Sequence, residues 1–199
     1  MKLRNQILGL GLIGLVMSVL VGGTGVINAT RLSVAFDQSI NTGLALQKSQ
    51  EADMMHDAIR GDVLLALLSA ANNDTAGLEE SKKDLTEHVK NFNDAIAAMQ
   101  NLPLSDNSKS HIQQLAPTLK TYVEAATMVQ GLASTDAQKA QASVPEFQKA
   151  FAGLEETMGS LSEAVAKDVE AYSIDAHQGA VNAKWQVLMG LLVAAGILI

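Results

Sequence analysis

The stretch PEFQKAFAGLEETMGSLSEAV, residues 145–165, decides the fold because its apolar residues recur every three or four positions. They are Phe147, Phe151, Leu154, Met158, Leu161 and Val165. This spacing puts one apolar stripe along an α-helix, which is typical of a helix that packs against its neighbours. The same pattern recurs upstream in Leu85, Val89, Phe92, Ile96 and Met99. We therefore expect these Met and Phe side chains to fill the core of an all-α bundle.

Turn-forming residues divide the segment between residues 28 and 184 into four predicted helices. Asn, Asp, Gly, Ser and Pro cluster at 71–74, 101–107 and 131–136, and such clusters interrupt helices. The predicted helices are 30–72, 76–101, 107–131 and 136–184. Candidate N-caps are Asp74 or Thr75, Ser105 or Asp106, and Thr135 or Asp136.

Two prolines fall inside these predicted helices. Pro117 is expected to kink the third helix, because proline removes a helical hydrogen bond. The four residues from Ser143 to Glu146, with Pro145 between them, have the spacing of a capping box. This spacing predicts that the fourth helix restarts near residue 144, after a short helical piece.

Two uncharged apolar runs predict membrane segments. The run 7–27 has 21 residues without a charge, and at ~1.5 Å per residue it crosses a bilayer core. The run 185–199 is too short to span, so we interpret it as the start of a truncated second membrane helix. Since Lys2 and Arg4 precede the first run, the positive-inside rule predicts cytoplasmic residues 1–6 and a periplasmic domain 28–184 of a multi-pass inner-membrane protein. The alternative is a cleaved signal peptide. The length of the run and the lack of an A-x-A site at its end argue against cleavage.

The unequal helix lengths predict an antiparallel four-helix bundle with two long and two short helices, flanked by the two membrane helices. The first and last helices have ~43 and ~49 residues, and the middle pair ~25. The short helices therefore reach only the far halves of the long ones. The membrane-near halves form a two-helix stalk that buries little surface, so we predict that a second copy completes the packing as a parallel homodimer.

Composition and spacing exclude several function classes. The chain has 199 residues, 14 Lys and Arg against 21 Asp and Glu, and a net charge of −7, which argues against a nucleic-acid partner. Its lack of cysteine excludes disulfides, cysteine zinc sites and thiol catalysis. The four histidines have no zinc-motif spacing, and no serine lies in a nucleophile-elbow context. We therefore predict no catalytic site, no metal and no cofactor.

Two local stretches carry a resemblance to a known family. They are EADMMHDAIRGDVLLAL, residues 51–67, and the stretch from Pro145 to Met158. With the membrane topology, they make the chain similar to the N-terminal part of a bacterial methyl-accepting chemotaxis protein with a four-helix-bundle ligand-binding domain. The resemblance implies a chemoreceptor that senses a small extracellular ligand. It also implies a piston-like slide of the last bundle helix, read by a cytoplasmic kinase–adaptor complex.

Alternative functions of the predicted periplasmic domain 28–184 remain open. The same kind of sensor module also precedes histidine kinases and diguanylate cyclases, so the sensor function is more firmly indicated than chemotaxis. The domain is alternatively a docking module for a periplasmic binding protein.

Arg60 is the candidate ligand-binding residue. It and Arg31 are the only arginines between residues 28 and 184, and Arg60 lies three residues before the apolar run 63–68. A guanidinium beside apolar surface suits bidentate binding of a carboxylate, so the expected ligand is anionic. The resemblance also implies that an arginine on the first helix holds an acidic ligand. The alternative is an ion pair of Arg60 with Asp57 or Asp53 on its own helix.

The level of Arg60 along the bundle suggests which residues face it. Counting ~1.5 Å per residue along the predicted helices places four further side chains at about the same height. They are His56, Tyr122, Gln148 and Phe151. We therefore predict a ligand pocket formed by these four residues and Arg60.

Overall fold

The computed structural model describes residues 2–198. Residues 1 and 199, the outer ends of the predicted segments 1–6 and 185–199, lie outside the described part. Within residues 2–198 the chain forms four helices and no strand: α1 (Lys2–Asn72), α2 (Thr75–Gln100), α3 (Asp106–Ala133) and α4 (Ala137–Leu198). The predicted all-α class is confirmed, and each predicted helix end at an inter-helix turn agrees to within two residues.

The helices contribute to two compact units. The first consists of residues 1–40 and 170–199, and the second of residues 41–169. In the first unit, the Asn28 side-chain amide donates a hydrogen bond to Oε1 of Gln186 over 2.9 Å. Among the described residues one helix, assigned to Gly14–Asn72 of α1, is long and apolar enough to cross a membrane by length and composition. The membrane segments 7–27 and 185–199 remain predictions. The apolar helix supports the first of them.

The second unit is a four-helix bundle in which α1 and α4 have complementary side-chain sizes. The buried positions of α1 recur at alternating intervals of three and four: Ala45, Ser49, Ala52, His56, Ile59, Val63 and Ala66. Such a mean spacing of 3.5 is that of a coiled-coil seam. Most of these side chains are small, whereas the buried stripe of α4 is large: Phe147, Leu154, Met158, Leu161 and Val165. The predicted core stripes of α2 and α4 are confirmed, with Val89 and Phe151 only half-buried.

The turn between α1 and α2 is specified by Asn73 and Asp74. Asn73 has a left-handed φ of 55°, which Asn tolerates better than most residues. The backbone N–H groups of Asn73 and Asp74 donate to the carbonyls of Ala70 and Ser69, so that α1 ends in a Schellman motif. The Asp74 carboxylate then caps α2 by accepting from the Gly77 N–H over 3.1 Å.

The other two predicted caps are also found. Ser105 caps α3 by accepting from the Ser108 N–H over 3.2 Å, and Asp136 accepts from the Lys139 N–H at the start of α4 over 3.1 Å. Of each predicted pair, the structure therefore selects Asp74, Ser105 and Asp136.

The predicted restart of the fourth helix near residue 144 is wrong, because α4 continues through Pro145. The Ser143 hydroxyl donates to the carbonyl of Lys139 in its own helix, so it does not cap a new one. Ala140 and Phe147 are both buried and anchor the helix on either side of the proline, whose ring is exposed. Packing on both flanks thus offsets the hydrogen bond that proline removes. The α3 helix likewise contains Pro117.

Candidate functional site

Three of the predicted pocket residues form one joint between three helices. The His56 ring of α1 stacks on the Phe151 ring of α4 at a centroid distance of 4.0 Å and an interplanar angle of 11°. The Tyr122 hydroxyl of α3 donates to the backbone carbonyl of His56 over 2.8 Å, and its ring meets the histidine ring edge-on at 5.0 Å. We call His56, Tyr122 and Phe151 the His56 joint.

The rotation of α1 about its axis explains why the joint lies inside the bundle. His56 follows Ala52 and precedes Ile59 in the buried series, so its side chain is only 2% exposed. Tyr122 is 0% exposed in the corresponding series of α3. The two residues therefore contact the core inside the bundle, and their role as ligand contacts remains a prediction. They support the half-buried Phe151 from within.

Burial favours the neutral form of the His56 ring. Its Nε2 lies 3.3 Å from the Phe151 carbonyl oxygen, which can only accept, so Nε2 carries a proton; in the neutral ring Nδ1 then carries none. Burial lowers the pKa of His56 below its usual range, because the charged ring loses its hydration. The hydrogen bond to Phe151 and the charges of Asp57, Asp53 and Glu155 act in the opposite direction. Burial likewise raises the pKa of Tyr122.

Arg60 lies over the outer side of this joint. Its Cζ atom is 4.6 Å from the centroid of the Phe151 ring, within the range of a cation–π interaction. Among the described residues 2–198, no carboxylate lies within 4.0 Å of the Arg60 guanidinium, so the alternative ion pair with Asp57 or Asp53 is not formed. An exposed guanidinium held on an aromatic ring keeps its N–H donors available to a carboxylate.

The structure thus brings four of the five predicted residues together. Gln148 is exposed on α4 and contributes no hydrogen bond to the cluster within the described part of the chain. Its role as a ligand contact remains a prediction. The four residues that lie together comprise two buried supports, a half-buried ring and an exposed cation, and their function as a ligand site remains a prediction.

Sequence reasoning missed a buried acid–base pair between α1 and α2. The Nδ1 atom of His88 lies 2.8 Å from a carboxylate oxygen of Asp62, which is almost fully buried. Burial raises the pKa of Asp62, and the hydrogen bond and charge of His88 oppose that rise. The sequence signal for this pair was Asp62 itself, an acidic residue directly before Val63 of the apolar series.

A second missed contact joins the start of α3 to α4. The Asp168 carboxylate accepts a hydrogen bond from the Ser108 hydroxyl over 2.7 Å and from the Ser105 N–H over 3.4 Å. Asp168 thereby supplements the Ser105 cap with a negative charge at a helix N-terminus, where it is stabilising. No spacing within one helix could have indicated this pairing.

Comparison with known proteins agrees with this architecture. A sequence model of the family described as a four helix bundle sensory module for signal transduction matches residues 1–179. No curated protein and no solved structure gives a match. The matched span contains every residue of the bundle unit 41–169.

Proposed function

The chain belongs to the four-helix-bundle sensory modules of signal transduction, the N-terminal sensors of methyl-accepting chemotaxis proteins, and from this we propose that it is a chemoreceptor for a small carboxylate-bearing ligand. Modules of this family are signalling domains and are typically membrane-associated. We place residues 28–184 in the periplasm of a multi-pass inner-membrane protein. A cytoplasmic kinase–adaptor complex would read its signal.

The position of Arg60 over Phe151 carries the ligand proposal. A carboxylate that pairs with the Arg60 guanidinium sits beside a ring belonging to α4, the helix proposed to transmit the signal. The domain has an excess of acidic residues, so an anionic ligand needs a local cation. Arg60 provides one without first having to break an ion pair with its own helix.

Binding at Arg60 transmits a signal only if it favours one of two positions of α4. Phe151 lies under the guanidinium and also stacks on His56 of α1. A bound carboxylate that draws Arg60 outward would weaken the cation–π contact and release one restraint on Phe151. Helix shifts of ~1–2 Å are a known response to such local changes, and we propose this displacement for α4.

The proposed homodimer is supported by an exposed apolar face on α1. Met54, Leu64 and Leu68 are all exposed, and with Gly61 they follow one face of the helix at intervals of seven, three and four. Because the chain has no cysteine, Leu64→Cys should give a disulfide-linked dimer on mild oxidation. Thr86→Cys, on the exposed face of α2, is the control. Equal cross-linking of both variants would contradict this interface.

The ligand proposal is tested by titrating the full chain in nanodiscs with a panel of organic acids and acidic amino acids. Arg60→Ala should weaken the binding of any acid that binds by about 10- to 100-fold, the value of a hydrogen-bonded charge. Arg60→Lys should recover part of it, because the charge remains but the bidentate geometry is lost. The matched control is Arg31→Ala on the same helix, which should bind normally. An acid that binds Arg60→Ala as tightly as the wild type, or no binding across the panel, would refute direct sensing at Arg60.

A further inference from the structure

A groove of about 370 Å³ lies on the bundle surface between α3 and α4. This volume is within the range of small-molecule pockets. Its apolar lining includes Val129 on α3 and Phe147, Ala150 and Gly153 on α4. Arg60 and Phe151 do not line it, so the groove is separate from the proposed carboxylate site.

Met128, at the edge of this groove, is unusually exposed. Between residues 73 and 169, all of which the structure describes, it is the only large apolar side chain that is exposed, at 52%. Met54, Leu64 and Leu68 of α1 belong to the proposed dimer face, but Met128 lies on α3. Methionine is flexible and polarisable, and it is common on surfaces that adapt to ligands.

The polar lining of the groove consists mainly of hydrogen-bond acceptors. The hydroxyls of Thr118, Thr121 and Ser143 each donate to a carbonyl of their own helix, so they present lone pairs to an occupant. Glu124 on α3 and Glu146 on α4 add a carboxylate to each wall. Such a lining is complementary to a ligand that brings donors and a positive charge.

Lys149 and Lys120 only partly neutralise the negative charge of the groove. Lys149 lines the groove as its single cationic residue against two carboxylates. The Lys120 ammonium lies 3.8 Å from the Glu124 carboxylate, but both side chains are largely exposed, so solvent weakens that pair. The excess of negative charge within the groove therefore remains.

We propose that this groove is a second ligand site, which takes a small ammonium-bearing molecule with an apolar body. The ammonium binds the carboxylates and hydroxyls, and the apolar body covers Met128, Val129 and Phe147. Phe147 also stacks on Tyr122 of the His56 joint, at a centroid distance of 5.5 Å and an interplanar angle of 21°. An occupant of the groove therefore contacts a side chain that packs directly against the joint.

The test uses the full chain in nanodiscs with its eight methionine methyl groups labelled with ¹³C. The probe is 2-phenylethylamine, compared with 3-phenylpropionate and with ethylamine. The amine with the ring should shift the Met128 methyl resonance, whereas the acid and the ringless amine should bind much more weakly. Met99, which is fully buried in α2, supplies a reference resonance that should not move.

Matched variants locate the binding. A Cβ on Gly153 or on Gly159 meets no atom within 4 Å, so neither position on α4 is closed to substitution at its Cβ. Gly153→Leu fills the groove and should abolish the Met128 shift, whereas Gly159→Leu lies outside the groove and should retain it. Glu146→Gln should weaken binding about two- to fivefold, as expected for an exposed charge pair, and the exposed Glu156→Gln should not.

Four outcomes would overturn the proposal. The first is no shift up to about 10 mM amine, where a site with a Kd of about 1 mM would be nine-tenths filled. The second is an equal response of Gly153→Leu and Gly159→Leu. The third is an equal response to the amine and the acid, which would reject the charge assignment. The last is a Met128 shift that follows protein concentration without amine, since the groove would then be covered by a second copy of the chain.

Discussion

Acidification should destabilise the bundle through His56. The ring is buried, neutral and stacked on Phe151, and its pKa in the folded state is lowered. In the unfolded chain the ring titrates near its ordinary value of about 6.5. Below that pH the unfolded state binds a proton that the folded state does not, so stability contributed by the neutral ring is complete above about pH 6.5 and is lost as the pH falls.

The size of this effect follows from proton linkage. A single group that is protonated only in the unfolded state changes the free energy of unfolding by about 1.4 kcal/mol per pH unit. Between pH 7.5 and pH 5.5 the His56 contribution should therefore fall by at most about 1.4 kcal/mol, and it levels off once the folded-state pKa is passed. The carboxylates of Asp57, Asp53 and Glu155 favour the charged ring and limit the total. Asp62 has a raised pKa and so contributes in the opposite sense, favouring the folded state at lower pH.

Thiol labelling isolates the His56 contribution. Trp185 lies outside the unit 41–169, so its fluorescence does not report on the bundle. Since the chain has no cysteine, Ala126→Cys places one thiol at a fully buried position of α3. The labelling rate of this thiol is measured with His56 and with His56→Phe at each pH. The ratio of the first rate to the second should rise up to about tenfold from pH 7.5 to pH 5.5. The ratio cancels the intrinsic pH dependence of the thiol and the contribution of Asp62. A ratio that stays flat or falls would refute a neutral, buried His56.

Substitutions at Gly77 and at Asp168 test the contacts that hold the helix ends. Gly77→Ala should lower the free energy of unfolding by about 1–2 kcal/mol, because a Cβ there would collide with Ser69 and with the Asp74 cap, whereas Gly159→Ala should raise it by up to about 1 kcal/mol. The same labelling assay compares the two, and equal effects would contradict the close packing at Gly77. Asp168→Ala should cost about 1–2 kcal/mol by leaving the α3 N-terminus without its second cap, and Asp168→Asn should cost less because it keeps one acceptor. Unchanged stability of both Asp168 variants would show that this contact contributes nothing.

Local sequence signals were sufficient for the helix ends. The turn at Asn73 and Asp74 depends on residues within a few positions of each other, and the sequence places them correctly. The apolar stripe of α4 also depends on spacing within one helix. The Pro145 prediction failed because it weighed one local cap signal without the buried residues that hold the helix on both sides.

The sequence predicted which residues of the candidate site lie close together, but not which of them are buried, and the reason is geometric. Counting the rise per residue gives the height of a side chain along the bundle, and this brought His56, Tyr122 and Phe151 to one level. It does not give the direction of the side chain around the axis, which turns by about 100° per residue. An error of one residue in that rotation moves a side chain from the core to the surface. The burial of His56 and the pairing of Asp62 with His88 depend on this rotation and on partners from other helices.

The His56 joint limits how α4 can move within the bundle. The seam between α1 and α4 is mostly apolar, apart from the Ser49 and Ser162 hydroxyls, which lie 3.0 Å apart. At the joint, α4 is held to α1 by a ring stack and by a hydrogen bond from Nε2 to the Phe151 carbonyl. This contact is already long at 3.3 Å, so an axial shift of α4 that lengthens it by ~1 Å breaks the hydrogen bond. The Arg60 guanidinium lies over the same Phe151 ring. This ring therefore contacts both the buried His56 of the joint and the cation of the proposed ligand site.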